Sequence, residues 1–114
     1  MAASRGEVLP GTLDLIVLRT LETMGPLHGY GIAQRIEQTS EELLKLNQGT
    51  LYPALLRLEQ RGWIRSKWGL SANNRKARYY SLTVTGRRQI VAEAKGWNRM
   101  AAVMARLLSS AKGA

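Results

Sequence analysis

From Thr12 to Met24 the apolar residues fall in two sets, Leu13, Ile16, Val17, Leu21 and Met24 on one stripe, Leu15 and Leu18 on another. That spacing predicts a helix with more apolar surface than one small core requires, so the second stripe is assigned to a partner chain. Gly25 and Pro26 end this helix, and a second is predicted from about Gly29 to Thr39, with Tyr30, Ala33 and Ile36 inward and Ile32 as a further candidate. In the connection at 40–46, the alternation Leu44-Lys45-Leu46 allows a very short strand.

Asn47 to Gly62 then reads as an amphipathic helix. Leu51, Leu55 and Leu58 recur at helical spacing, with Ala54 and Leu56 on the flanks. Asn47 is the expected N-cap and Gly62 the stop, while Pro53, falling within the first two turns, leaves room for a kink or a later start. The other side of this helix carries Gln48, Thr50, Tyr52, Arg57 and Arg61.

The next segments predict two strands, Trp63–Trp68 and Arg78–Leu82, joined through a turn-forming stretch at 69–77 rich in Gly, Ser and Asn. From Thr83, the expected N-cap, to Ser109 the pattern is helical again. Ile90, Ala94, Trp97, Ala101, Met104 and Leu108 recur in steps of four, three, four, three and four, a heptad seam widened by Val91, Met100 and Leu107. About 26 residues of helix span roughly 39 Å, more than so small a domain can cover, so the seam predicts a homodimer. The last six residues are expected to fray and residues 1–8 to form a flexible arm.

Charge adds a direction to this picture. The net charge is +9, and between Arg57 and Arg88 nine basic residues (Arg57, Arg61, Arg65, Lys67, Arg75, Lys76, Arg78, Arg87 and Arg88) face the single acid Glu59. A patch of one sign attracts polyanions, which makes nucleic acid the first expected partner and an anionic membrane surface a weaker second. With no cysteine and one histidine, His28, a structural zinc site, a disulfide and a thiol nucleophile are excluded. His28 opens a helix and reads as a polar cap or a phosphate neighbour. No signal peptide, membrane-spanning run or cofactor motif is read, and a cytoplasmic, non-enzymatic protein is expected.

The fold class is therefore mostly α with a small β-hairpin: a winged helix-turn-helix domain at 1–82 and a long dimerisation helix at 83–114. The segments GTLDLIVL (11–18), PLHGYGIAQRI (26–36), GTLYPALLRLEQRGWI (49–64) and RKARYYSLTVTGRRQI (75–90), with Trp97 in the last helix, resemble the PadR-like winged-helix transcriptional regulators, the short kind ending in one helix. The resemblance implies a homodimer binding a pseudo-palindromic operator in double-stranded DNA, usually as a repressor. It implies that Gln48, Gly49, Thr50 and Tyr52 lie at the groove-facing start of the third helix and that Arg75, Lys76 and Arg78 form the wing. It also implies a small aromatic effector near the dimer interface, with Trp97 as the stacking residue. Arg57 is assigned to phosphate, and Leu15, Leu18, Ile90, Ala94, Trp97, Ala101, Met104 and Leu108 to the dimer interface. The competing reading is a winged-helix module that binds RNA or protein without reading an operator.

Overall fold

The computed structural model describes residues 10–113, with side chains described over 11–109; the arm expected at residues 1–8 lies outside them. The element order is α1 (Pro10–Met24), β1 (Leu27–His28), α2 (Gly29–Thr39), α3 (Gln48–Gln60), β2 (Ile64–Leu70), β3 (Lys76–Leu82) and α4 (Val84–Gly113). The three helices of the head and the sheet enclose one core. It comprises Leu13, Val17, Leu18 and Leu21 of α1, Ile32 and Ile36 of α2, Leu51, Ala54, Leu55 and Leu58 of α3, with Ile64, Tyr80 and Ile90.

This core corrects two assignments. Leu18 is completely buried and Ile90 nearly so, so neither is available to a partner chain. α1 is covered from two sides by its own chain, by α2 and α3 and by α4. Leu15 and Ile16 are half-buried against the same core, whereas Met24 is exposed.

The helix ends follow local chemistry. Asn47 takes an extended backbone and its side chain accepts the Thr50 N–H at 2.9 Å, the arrangement that satisfies an otherwise orphan donor. Pro53 lies inside α3, which runs unbroken from Gln48 to Gln60. His28 caps α2 through Nδ1, which accepts the Gly31 N–H at 3.0 Å. After α3 the chain reverses at Gly62, whose φ of +78° is the left-handed conformation that a side chain would oppose.

The sheet is antiparallel in the order β1-β3-β2. Its first strand is not the one expected at Leu44–Leu46. The turn after α2 passes through Glu41 and Glu42 at φ +54° and +69°, and Leu44 and Leu46 then pack against the core instead of pairing. β1 is two residues that hydrogen-bond beside Tyr79 and Tyr80 on the far edge of β3. The hairpin is longer than predicted: β2 and β3 stay paired out to Leu70 and Lys76, and the tip closes with the Ser71 N–H donating to the Arg75 carbonyl at 2.8 Å. Ile64 and Tyr80 are buried, so period-two alternation puts Ser66, Trp68 and Leu70 with Arg78 and Lys76 on the outward continuation of that same face.

α4 is helical through Gly113, further than the Ser109 expected. It starts at a junction of three elements: the Thr83 N–H and hydroxyl donate to the carbonyls of Trp63 (3.1 Å) and Gly62 (2.7 Å), and the Thr83 hydroxyl accepts the Gly86 N–H at 2.9 Å. Arg87 pairs with Glu22 of α1 at 3.1 Å. Beyond this anchored start the helix leaves the head, giving the molecule a long dimension of 60 Å against 29 and 20 Å. A Cβ at Gly86 would press into the Trp63 carbonyl group, 2.9 Å from its carbon. Gly86→Ala is accordingly expected to destabilise the fold by about 1–3 kcal/mol, the usual cost of overpacking. Chemical denaturation checks this, and an unchanged midpoint would mean that the junction is not tightly fitted.

Candidate nucleic-acid interface

α3 has one buried side, so its outward residues are determined by geometry. Opposite Leu51, Ala54, Leu55 and Leu58 runs the exposed ridge Gly49, Pro53, Leu56 and Gln60, in steps of four, three and four. Leu56 is therefore on the outward side with 58 % exposure, and Ala54 is in the core at 1 %, a correction to the flanking positions expected for both. Around the start of the helix Gln48, Gly49, Thr50 and Tyr52 are all exposed. These four residues form one surface patch.

Gln48 and Tyr52 of this patch face the inner side of the hairpin. His28 and Tyr30 from the start of α2, Gln48 and Tyr52 from α3, and Trp68, Arg75, Lys76 and Arg78 from the hairpin bound one open cleft. Arg78 is held in its wall. Its Nε donates to the Ser66 hydroxyl at 2.8 Å, that hydroxyl donates to Glu59 at 2.7 Å, and the guanidinium lies over the Trp68 ring at 5.8 Å. Tyr80, at the base of the cleft, has its phenol pKa raised by burial, against the opposing pull of Arg78.

The basic residues separate into two groups. Arg57 donates from Nη2 to the Asp14 carboxylate at 2.7 Å, Arg61 lies 3.8 Å from the same carboxylate, Arg87 is paired with Glu22, and Arg78 lies 3.9 Å from Glu59. Arg65, Lys67, Arg75 and Lys76, all on the hairpin and all exposed, have no carboxylate within ion-pair distance among the described residues. The hairpin thus holds four unpaired cations, and Arg88, exposed on α4, is a further one among the described residues. Arg65 and Lys67 alternate out of phase with Trp68 and so lie on the other face of β2 from the cleft. They entered the sequence reading only in the charge count; the signal that adds them to the site is their place on the strand next to the basic tip.

Arg57 is where the structure departs from the assigned role. Its position beside the buried side of α3 turns it towards α1, and Asp14, a buried carboxylate, takes its guanidinium. Leaving such a carboxylate without a cation costs more than forgoing one exposed phosphate contact. The pair is partly exposed on the arginine side, which limits its worth. Arg57→Ala is expected to lower stability by roughly 1 kcal/mol, and Arg61→Ala by less, because Arg61 reaches Asp14 only at the longer distance. Equal losses in denaturation experiments would contradict the assignment of Arg57 to Asp14.

The expected interface positions on α4 lie as follows. Ala94 is half-buried, while Trp97, Ala101, Met104 and Leu108 are exposed, as are Val91, Met100, Val103 and Leu107. Trp97 borders a mostly apolar groove between α4 and the start of α1, formed with Gly11, Thr12, Ala92, Glu93, Gly96 and Met100. Among the described residues there is no cluster of metal-ligating side chains and no helix long and apolar enough to cross a membrane.

The arrangement has known counterparts. A transcriptional regulator from Clostridium thermocellum is 30 % identical and superposes with a TM-score of 0.77 over 84 % of this chain and 92 % of that one. A PadR family transcription regulator from Clostridium difficile, also 30 % identical, gives a TM-score of 0.73 over 84 % of this chain and 97 % of its own. A Lysinibacillus sphaericus protein described as uncharacterized protein X is 29 % identical over 82 % of this chain and 84 % of its own length. The model of the transcriptional regulator PadR-like family matches residues 17–92, more than half of the chain. With that match, and with the winged-helix architecture shared with these regulators, the chain belongs to the PadR-like family of transcriptional regulators.

Proposed function

We propose that this regulator is a homodimer that reads a pseudo-palindromic operator in double-stranded DNA and acts as a repressor. The observation that carries the reading is the juxtaposition of the exposed start of α3 with a hairpin four of whose five cations lack carboxylate partners among the described residues. The first supplies groups that can address base edges, the second supplies charge for the phosphates beside them. Gln48 can pair with adenine, Thr50 can contact a thymine methyl, and Tyr52 can bond a phosphate or pack on a sugar. Gly49 adds no bulk to this approach: a Cβ there would meet only Asn47, at an ordinary 3.4 Å, so nothing inside the chain requires a glycine.

Dimerisation is supported by the free part of α4. A row of tryptophan, methionine, valine and leucine side chains along a helix that has left its own core is costly to hold in water, and the same row on a second copy covers it symmetrically. In such a dimer two α3 helices would enter successive major grooves about 34 Å apart. The mostly apolar groove beside Trp97 has the lining a planar aromatic effector needs, and binding there would release DNA by favouring a different spacing of the two heads.

Two experiments test this reading. The double variant Arg75→Ala/Lys76→Ala should weaken binding to cognate and random duplexes alike and lower the slope of log affinity against log salt by up to about 2; a loss confined to the cognate operator would place the wing away from phosphate. Ala101→Asp should shift the protein to a monomer by analytical ultracentrifugation and abolish operator binding. A variant that still bound tightly as a dimer would refute the role of the α4 seam.

A further inference from the structure

Gly29, the first residue of α2, is buried, and its backbone lies against the ring of Tyr52 from α3. A Cβ built at Gly29 would stand 2.7 Å from the Tyr52 Cζ and closer still to the hydroxyl oxygen, well inside van der Waals contact. Gly31, two residues further along the same helix, differs: a Cβ there meets its neighbours at 3.4 Å, an ordinary contact. The requirement for glycine is therefore specific to position 29, and the atoms that impose it are the far end of one side chain.

Tyr52 is free to respond. It is 41 % exposed, and among the described residues its hydroxyl has no hydrogen-bond partner. It stands between two clefts. One, between α2 and α3, is bordered by Glu37, Glu41 and Glu42; the other faces the hairpin with Arg75, Lys76 and Arg78. The backbone of Gly29 lies behind the Tyr52 ring, and Gly29, Gln48 and Tyr52 border both clefts. A methyl group at 29 would not have to break the core. It would displace the far end of the exposed Tyr52 side chain from its present position.

We infer that Gly29 is a positioning residue for DNA recognition: its missing side chain makes the seat that sets the Tyr52 hydroxyl against the sugar-phosphate backbone. This inference rests on the operator-reading function proposed above. It also separates fold from function at one residue, because the groups displaced by a side chain at 29 belong to the binding surface. Gln48, Gly49 and Thr50, on the other side of the same cap, are left where they are.

The test is a double-mutant cycle in operator affinity with Gly29→Ala, Tyr52→Ala and the combined variant, alongside Gly31→Ala as the control for adding a methyl group to α2. Thermal melts establish that each is folded, and 19F spectra of protein carrying fluorotyrosine follow the ring directly, since the chain holds four tyrosines and the resonance missing from Tyr52→Ala identifies Tyr52. Gly29→Ala should melt as a cooperative unit, move the Tyr52 resonance and lose about tenfold in affinity, and the combined variant should bind no worse than Tyr52→Ala alone. Gly31→Ala should stay within about twofold of the parent. Additive losses, an unmoved Tyr52 resonance, or Gly29→Ala binding as the parent does would each overturn the inference. Failure of the parent protein itself to prefer operator over random duplex would instead refute the underlying function, and the 19F comparison would still report whether Gly29 seats Tyr52.

Discussion

Burial of Leu51, Ala54, Leu55 and Leu58 in one cluster with the leucines and valine of α1 and the isoleucines of α2 fixes the rotation of α3 about its own axis. Each of the three leucines contributes roughly 1.5–3 kcal/mol by leaving water, and advancing the helix by one residue would turn it by about 100° and bring all four out together. That restriction decides everything the surface of α3 can present. Gly49, Pro53, Leu56 and Gln60 become the outward ridge, Gln48 and Tyr52 fall to the side of the hairpin, and Arg57 and Arg61 fall to the side of α1. The face available to a nucleic-acid groove is thus what remains after the core has been satisfied.

Three acids refine the distribution of charge on that frame. Asp14 holds Arg57 and approaches Arg61, Glu22 holds Arg87, and Glu59 lies near Arg78 through Ser66. As contributions to stability such partly exposed pairs are small. Their effect is on placement: Arg57, Arg61 and Arg87 are drawn to carboxylates of the same chain, while four of the five hairpin cations have none among the described residues. The hairpin is therefore the element with the densest unpaired charge, and the start of α3 lies beside it. The junction of Thr83, Trp63 and Gly86 then ties that head to the direction of α4.

Much of this was legible in the sequence where the cause is local. The Asn47 cap, the Gly62 reversal, the Thr83 start of α4 and the limits of α2 depend on a few neighbouring residues, and each was found where expected. The exposure of Gln48, Thr50 and Tyr52 followed from the side opposite the leucine stripe, and Gly49 was added by the family resemblance. What was not legible depends on partners distant in sequence. β1 is two residues that become a strand only because β3 offers an edge. Leu18 and Ile90 read as dimer-interface positions until α1 and α4 are seen to pack on one another. Arg57 is indistinguishable by composition from a phosphate-binding arginine, and only Asp14, forty-three residues earlier, shows its role. Leu56 was read as a flank of the buried stripe, although the helical period around Leu51, Leu55 and Leu58 places it outward.

The claim that joins these observations is that α3 and the hairpin read duplex DNA from two heads held on one pair of α4 helices. The most direct measurement is a titration of the purified protein against the DNA upstream of its own gene, with a random duplex as control, at low and at moderate salt. Saturable binding at two chains per site, retained at moderate salt on the upstream DNA and lost on the random duplex, is the predicted result. Equal and salt-labile binding to both duplexes, or one chain per site, would contradict it.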